Sequence, residues 1–369
     1  MSDSSTQRIL VLNPGSTSTK LALYENDACV VDESITHSRQ EIAQFESIID
    51  QLEYRSALVE KFLADRSIDI LSLTAVVGRG GLMQSIVSGT YSVNEQMLRD
   101  LRVGLQGQHA SNLAAHMANQ VAEKAGVPCF VVDPVVVDEL QPLARLSGLP
   151  EIPRKSIVHA LNVKATARVA AQRLGKPLSE TNLVVCHMGG GTSVCALRGG
   201  RMVDVSNALS AGPFTPERAG AVPTLELVDI CFSGEHTRAQ VRKMLVGRGG
   251  LVAYLGTNDA LEVETRAVGG DARAKRVYDA MLYQIAKEIG AMAAVLKGAV
   301  DAVVLTGGLA RADYVVDMLR EHAGHLGEFI VVPGGDEMRA LAEGALRVLR
   351  GEEEALEYPH PVDDADDLV

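Results

Sequence analysis

Apolar positions along the chain fall into two patterns. The first is the short unbroken run, as in Ile9-Leu10-Val11-Leu12, Leu21-Ala22-Leu23, Ala75-Val76-Val77, Leu183-Val184-Val185-Cys186, Val194-Cys195-Ala196-Leu197 and Ala302-Val303-Val304-Leu305. Runs of this length, bounded by Gly, Pro or polar residues, predict strands. Further short strands are predicted over 127–132 and 328–332. The second pattern is a spacing of three and four. Val277, Met281, Ile285, Ile289, Met292 and Leu296 form one buried stripe on a helix over 272–296. Helices are also predicted over 41–63, 108–125 and 338–349. Strands alternating with helices imply an α/β architecture.

Four of these runs form two similar pairs. Ile9 to Leu12 and Leu21 to Leu23 flank Asn13-Pro14-Gly15-Ser16-Thr17-Ser18-Thr19-Lys20. The runs at Leu183 and Val194 flank His187-Met188-Gly189-Gly190-Gly191-Thr192-Ser193. Each reads as a hairpin whose turn gathers backbone N–H groups and hydroxyls at one spot, which suits nucleotide phosphates. A second echo follows in the same order. Ala75-Val76-Val77-Gly78-Arg79-Gly80-Gly81-Leu82 resembles Ala302-Val303-Val304-Leu305-Thr306-Gly307-Gly308-Leu309. Two ordered echoes predict a duplicated fold, with extra chain in the second half between about Asp204 and Asp259.

Neither hairpin is a P-loop. That motif needs Gly before the Lys and a helix after it, whereas Thr19 precedes Lys20 and Leu21 begins a strand. No G-x-G-x-x-G follows a strand, so a dinucleotide fingerprint is missing too.

Composition narrows the partners. The 369 residues allow two sizeable domains, and 47% hydrophobic with 22% charged residues is ordinary for a globular protein. A net charge of −12, no Trp and 4% aromatics argue against nucleic acid. The acidic stretch from Glu352 to Asp367 is expected to be solvated and partly disordered. The five cysteines lack C-x-x-C spacing and read as buried, reduced thiols of a cytoplasmic protein. The N-terminus lacks the pattern of a secretory signal. The most apolar stretch, 289–310, is interrupted by Lys297 and Asp301, so no membrane span is expected.

The strand, N-x-G-S-x-S-x-K, strand pattern at the N-terminus resembles the acetate and butyrate kinase family, within the actin, sugar kinase and Hsp70 superfamily. The resemblance continues through Val77-Gly78-Arg79, Gln108-His109-Ala110-Ser111-Asn112, Phe130-Val131-Val132-Asp133, and Arg154-Lys155-Ser156-Ile157-Val158-His159. It runs on through Cys186-His187-Met188-Gly189-Gly190-Gly191, Phe214-Thr215-Pro216-Glu217-Arg218, Thr257-Asn258-Asp259, Leu305-Thr306-Gly307-Gly308 and Pro333-Gly334-Gly335-Asp336-Glu337. The Phe214 and Asp336 segments are most similar to the butyrate kinase branch.

The resemblance implies two duplicated ribonuclease H-like domains with an interdomain cleft. The first would span 1–150 with the C-terminal 338–369, and the second 151–337. It implies reversible phosphoryl transfer from ATP to a short carboxylic acid, giving ADP and an acyl phosphate, with Mg²⁺. A carboxylate is already ionised at neutral pH, so this reaction needs no general base. Asn13, Ser16, Ser18, Lys20 and Gly189, Gly190, Gly191 would meet the phosphates. Gly307, Gly308 and Asp259 would meet the adenosine. Arg79, His159 and His187 would be catalytic, with Arg79 and His109 at the acid. Asp133 and Glu337 would organise the metal, with Asp336 as the alternative to Glu337.

Two departures matter. Acetate kinases carry a second Arg where this chain reads Val222-Pro223-Thr224-Leu225, and Arg218 is the candidate substitute. They also carry bulky Val residues where this chain has Gly80 and Gly81. The glycines are expected to widen the acid site for butyrate or isobutyrate ahead of acetate. A homodimer or higher homo-oligomer, built partly from 204–259, is also implied. The rival readings are an acetate or propionate kinase, a sugar kinase of the superfamily, which would need a carboxylate base, and an actin-like or Hsp70-like nucleotide switch.

Overall fold

A computed structural model describes residues 6–359. The chain forms two units, one reaching Asp138 and resuming at Asp336, the other running from Glu139 to Gly335. Sequence reasoning had placed these boundaries at 150 and 337. Glu139 belongs to the second unit because its carboxylate accepts from Lys164 Nζ at 2.6 Å and from Met202 N–H at 2.8 Å. Asp336 begins a helix whose apolar side, including Leu341, Ala342, Ala345 and Leu346, is buried in the first unit.

The first unit holds six strands: β1 (Arg8–Pro14), β2 (Ser18–Glu25), β3 (Ala28–Thr36), β4 (Ala75–Arg79), β5 (Thr90–Ser92) and β6 (Cys129–Val132). They lie in the order β3-β2-β1-β4-β6-β5. The second holds β7 (Asn182–Met188), β8 (Thr192–Arg198), β9 (Arg201–Val205), β10 (Ala302–Gly307) and β11 (Glu328–Pro333), in the order β11-β10-β7-β8-β9. In each sheet an antiparallel three-strand meander is extended by two parallel strands. Strands β1, β2, β3, β4 and β6 thus correspond to β7, β8, β9, β10 and β11, which is the duplication that the two echoes predict. The apolar runs are the sheet interiors: Ile9 to Leu12 and Leu183 to Cys186 are fully buried.

The helix over Ala272–Val295 buries Met281, Ile285, Ile289 and Met292 against the second sheet, as its stripe predicts. The extra chain after β9 contains three short helices, Thr224–Phe232, Arg238–Leu245 and Gly250–Leu255. Three expectations need correction. The helix expected over 41–63 is two, Arg39–Ala43 and Leu52–Asp65, because Asp50 takes the Ser47 N–H and hydroxyl and holds a turn between them. The helix expected from 108 starts at Leu113, after a 3-10 turn capped by the His109 ring. Cys29 and Cys231 are exposed, whereas Cys129, Cys186 and Cys195 are buried; all five are free.

No helix among the described residues is long and apolar enough to cross a membrane. Of the acidic tail, 360–369 lies outside the described residues. The part before it is ordered: Leu356 pairs with Thr90, and Tyr358 donates to Asp100 at 2.6 Å.

Candidate active site

In the first unit the site grows from the carboxyl ends of three parallel strands. Leu12 of β1 is level with Gly78 of β4, and Arg79 with Val132 of β6. The next positions, Asn13, Arg79 and Asp133, therefore emerge at the same sheet end, where open α/β sheets bind ligands. Arg79 Nη1 donates to Glu337 Oε2 at 2.7 Å, and Asn13 Nδ2 donates to the same oxygen at 2.8 Å. Asn13 is 4% exposed, and the ion pair is partly sheltered. Glu337 is on the first turn of the last helix. Asp336, the alternative, is that helix's cap and accepts from Arg339 N–H at 2.9 Å. Of the two, Glu337 is the one turned toward Arg79.

Lys20 is exposed and sits opposite Asn13 in the β1–β2 register, so both leave the same face of the hairpin. Ser16 is exposed and Ser18 half-buried at the turn. His109 Nδ1 accepts from Ser111 N–H, which fixes the ring. Part of His109 faces solvent, yet desolvation of the ring, then the Arg79 and Arg55 guanidiniums, hold it below the ordinary histidine value. Asp133 is buried, and its Oδ1 accepts from the Ser88 hydroxyl at 2.6 Å and Gly89 N–H at 2.9 Å.

Gly80 and Gly81 do not open space. A Cβ at Gly80 would lie 2.5 Å from Pro134 Cβ and 2.6 Å from Val131 Cγ1; at Gly81 it would lie 2.7 Å from Asn112 Cα. The room that side chains would take is filled by these neighbours. Acid chain length therefore does not follow from a void at these two positions.

The second unit repeats the layout. The imidazoles of His159 and His187 stack with centroids 4.1 Å apart and an interplanar angle of 18°. His159 Nδ1 pairs with Ser193 Oγ at 2.9 Å, and His187 Nδ1 with Asn162 Oδ1 at 2.6 Å. Because Asn162 Oδ1 only accepts, His187 carries its proton on Nδ1 in this orientation. In the glycine turn, Gly189 N–H donates to Gly191 O, and Thr215 donates to Gly190 O.

Gly189, Gly190, Asp259 and Gly308 line one cleft of about 700 Å³, with Tyr278, Glu264 and Arg311. Asp259 caps the helix Ala260–Val268, accepting from Leu261 and Glu262 N–H. Gly308 has open space where a Cβ would stand. Gly307 has a φ of +88°, and a Cβ there would lie 2.7 Å from the backbone N and C of Met188. Only glycine fits where β10 passes so close to β7. Gly307 thus shapes the turn, and Gly308 faces the cleft.

Three residues escaped the sequence reading. Asn162, one helical turn beyond His159, holds His187, and its spacing from His159 was the available signal. Ser193 holds His159. Arg55 is fully buried behind the first hairpin, which no local motif foretells. Arg218, left open as a substitute arginine, lies with its guanidinium against Gly191 and donates through Nη1 to Ala208 O at 2.6 Å. Its Nε is buried with no hydrogen-bond partner among the described residues.

Comparisons with known proteins agree with this layout. Residues 153–330 match the model of the Acetokinase family. The chain is 50% identical over 346 residues to a probable butyrate kinase 2 of Caldanaerobacter subterraneus subsp. tengcongensis, covering 94% of this chain and 98% of that protein. It is 49% identical over 352 residues to butyrate kinase 2 of Clostridium acetobutylicum, covering 95% and 99%. Among solved structures, Porphyromonas gingivalis acetate kinase superposes with a TM-score of 0.77 at 19% identity, over 93% of this chain and 100% of that one. Entamoeba histolytica acetate kinase gives 0.74 at 17%, over 92% and 98%. At those identities the likeness establishes the fold.

Proposed function

The chain belongs to the acetokinase family, and on that premise we propose that it transfers the terminal phosphoryl group of ATP to butyrate, reversibly. The observation that carries this reading is half-identity to two butyrate kinases along nearly their whole length. A butyrate carboxylate oxygen attacks the γ-phosphorus, the bond to the β–γ bridging oxygen breaks, and ADP leaves with that electron pair. Charge spreads over the phosphoryl oxygens, so catalysis is mainly positioning and electrostatics.

We assign the nucleotide to the cleft of the second unit, with Gly189, Gly190 and Gly191 at the phosphates and Gly308 at the adenosine. Asp259 supports that cleft through its cap. Arg79 takes the acid's carboxylate, because its planar fork of donors matches a carboxylate better than Lys does. Its present partner, through Nη1, is another carboxylate, Glu337, which supports that reading. Lys20, Ser16, Ser18 and Asn13 face the transferring phosphoryl group, with His109 nearby in the same unit. His159 acts as a donor to phosphoryl oxygens, and His187, its Nδ1–H held by Asn162, donates through Nε2 when the ring is doubly protonated. Arg218, with one unsatisfied donor beside the glycine turn, adds positive charge there.

Mg²⁺ keeps several waters and takes only one or two carboxylates beside phosphate oxygens. Glu337 and Asp133 each have one oxygen immobilised by donors, and we propose them as the carboxylates that orient the hydrated ion. When bound, Mg²⁺ neutralises phosphate charge.

Isobutyrate is proposed as a second substrate. The free thiols fit a reducing compartment, so we place the protein in the cytoplasm. The helix Thr224–Phe232 buries none of its residues and exposes Leu225, Val228, Ile230 and Phe232, which supports a homodimer through the extra segment. The deciding test of function is acyl hydroxamate formation with ATP, Mg²⁺ and hydroxylamine over acetate, propionate, butyrate, isobutyrate and valerate. The highest kcat/KM is expected at four carbons. Product from no acid, with protein that binds ADP, would remove the reading.

A further inference from the structure

Arg55 is a buried cation with no anion beside it among the described residues. Its side chain lies on the helix Leu52–Asp65, and the residue is 0% exposed. All its hydrogen-bond acceptors are neutral. Nε and Nη2 donate to Gln51 Oε1 at 3.1 and 3.0 Å. Nη1 donates to Gly15 O at 2.9 Å, Ser18 O at 3.2 Å and Thr19 Oγ1 at 3.0 Å. Among the described residues no carboxylate accepts from it. A buried charge left this way is costly unless something compensates it.

The position of the charge suggests what does. Gly15 lies in the first hairpin's turn, and Ser18 and Thr19 open β2 beside it. Arg55 draws the carbonyls of Gly15 and Ser18 inward, and His37 N–H takes the carbonyl of Thr17 at 2.8 Å. In a trans peptide the N–H points opposite the C=O. Securing Gly15 O against Arg55 therefore turns the N–H of Ser16 away from it. The negative end of this peptide faces the guanidinium, and its positive end faces away.

The charge is also felt around the turn. Thr19 Oγ1, which accepts from Arg55, pairs with His37 Nε2 at 2.8 Å, and His37 Nδ1 pairs with Tyr54. Burial first, then Arg55, keeps His37 below its ordinary value, and Arg55 acts in the same direction on His109.

We propose that Arg55 is a positioning residue whose buried charge is balanced by a phosphoryl-bearing anion at the first hairpin. This rests on the reading that this hairpin faces the transferring phosphoryl group. Arg55 shapes the turn and attracts the anion from behind, without touching it. Inorganic phosphate, or the phosphoryl group of an acyl phosphate, supplies the missing counter-charge.

The test is protection of the full-length protein against thermal unfolding by inorganic phosphate, at constant ionic strength and with saturating ADP to fill the second unit's cleft. Wild type is compared with Arg55→Lys, Arg55→Met and Arg55→Gln, using ADP binding by calorimetry to select the variants that fold. Wild type and Arg55→Lys are expected to be protected. In the folded neutral variants the apparent phosphate affinity should fall by about 30-fold or more, the scale of losing one partner of a buried charge pair. A folded neutral variant protected like wild type overturns the proposal. So does Arg55→Lys losing protection as fully as the neutral variants, since the role would then be scaffolding alone. An unprotected wild type that still forms acyl hydroxamate would instead remove the phosphate reading of the hairpin, and Arg55's role with it.

Discussion

Replacing His116 by Leu should remove an acid-sensitive component of stability. His116 lies in the helix Leu113–Ala125, is 6% exposed, and its Nε2 is buried with no hydrogen-bond partner among the described residues. Burial is the main reason its pKa falls from 6.5 to about 4; the Arg102 charge adds to this, and a hydrogen bond with the Leu98 backbone opposes it. The folded ring therefore stays neutral down to about pH 4, whereas the unfolded chain binds a proton from about pH 6.5 downward. Falling pH favours the unfolded state between those values. The His116 contribution is intact above the unfolded pKa and is lost as pH falls through the folded one. Each pKa unit corresponds to about 1.36 kcal/mol, so the full loss approaches roughly 3 kcal/mol. Urea unfolding of wild type and His116→Leu at several pH values between 7 and 4 reads this directly. The variant should gain on wild type as pH falls, whatever its cost at pH 7. NMR titration of ¹³C-labelled histidines, with the variant identifying the His116 signal, gives an independent value. A His116 signal titrating near 6.5, or a stability difference flat across the window, would refute the reasoning.

The two adjacent glycines at the end of β10, Gly307 and Gly308, should behave oppositely. Gly307→Ala forces a side chain against the Met188 backbone at a left-handed φ and should lower Tm, with a cost of at least about 1–3 kcal/mol from the strained backbone alone. Gly308→Ala has open space and should leave Tm unchanged while weakening ADP binding measured by calorimetry. Glu337→Gln should change stability by less than about 1 kcal/mol, because its ion pair is partly exposed. Its Mg²⁺ requirement, read as the half-saturating concentration, should rise about tenfold or more. Unchanged Mg²⁺ dependence would take Glu337 out of the metal site. Asn162→Ala releases the His187 ring and should lower kcat about tenfold or more with ADP affinity unchanged, and alter the pH–rate profile. An unaltered profile would make Asn162 merely structural.

The sequence by itself determined the duplication and eight of the strands found among the described residues, but not β3, β5 or β9. These are local or repetitive signals. A run such as Ile9 to Leu12 is buried wherever it folds, and two similar hairpins followed by two similar Gly-Gly turns predict the same strand order twice. It also singled out Asn13 and Arg79, one for the phosphates and one for the acid, and parallel pairing of β1 with β4 brings them to one end. Tertiary structure alone decided what depends on the space around a residue. Asp336 and Glu337 are neighbours in sequence, but helix geometry makes one a cap and aims the other at Arg79. Gly80 and Gly81 resemble removed side chains in sequence, yet Pro134 and Asn112 fill the volume. Arg55 resembles any helical arginine until packing buries it behind Gly15 and Ser18. Composition and spacing report which groups a chain carries; long-range packing decides which of them lose water, and which charge is left for a ligand to balance.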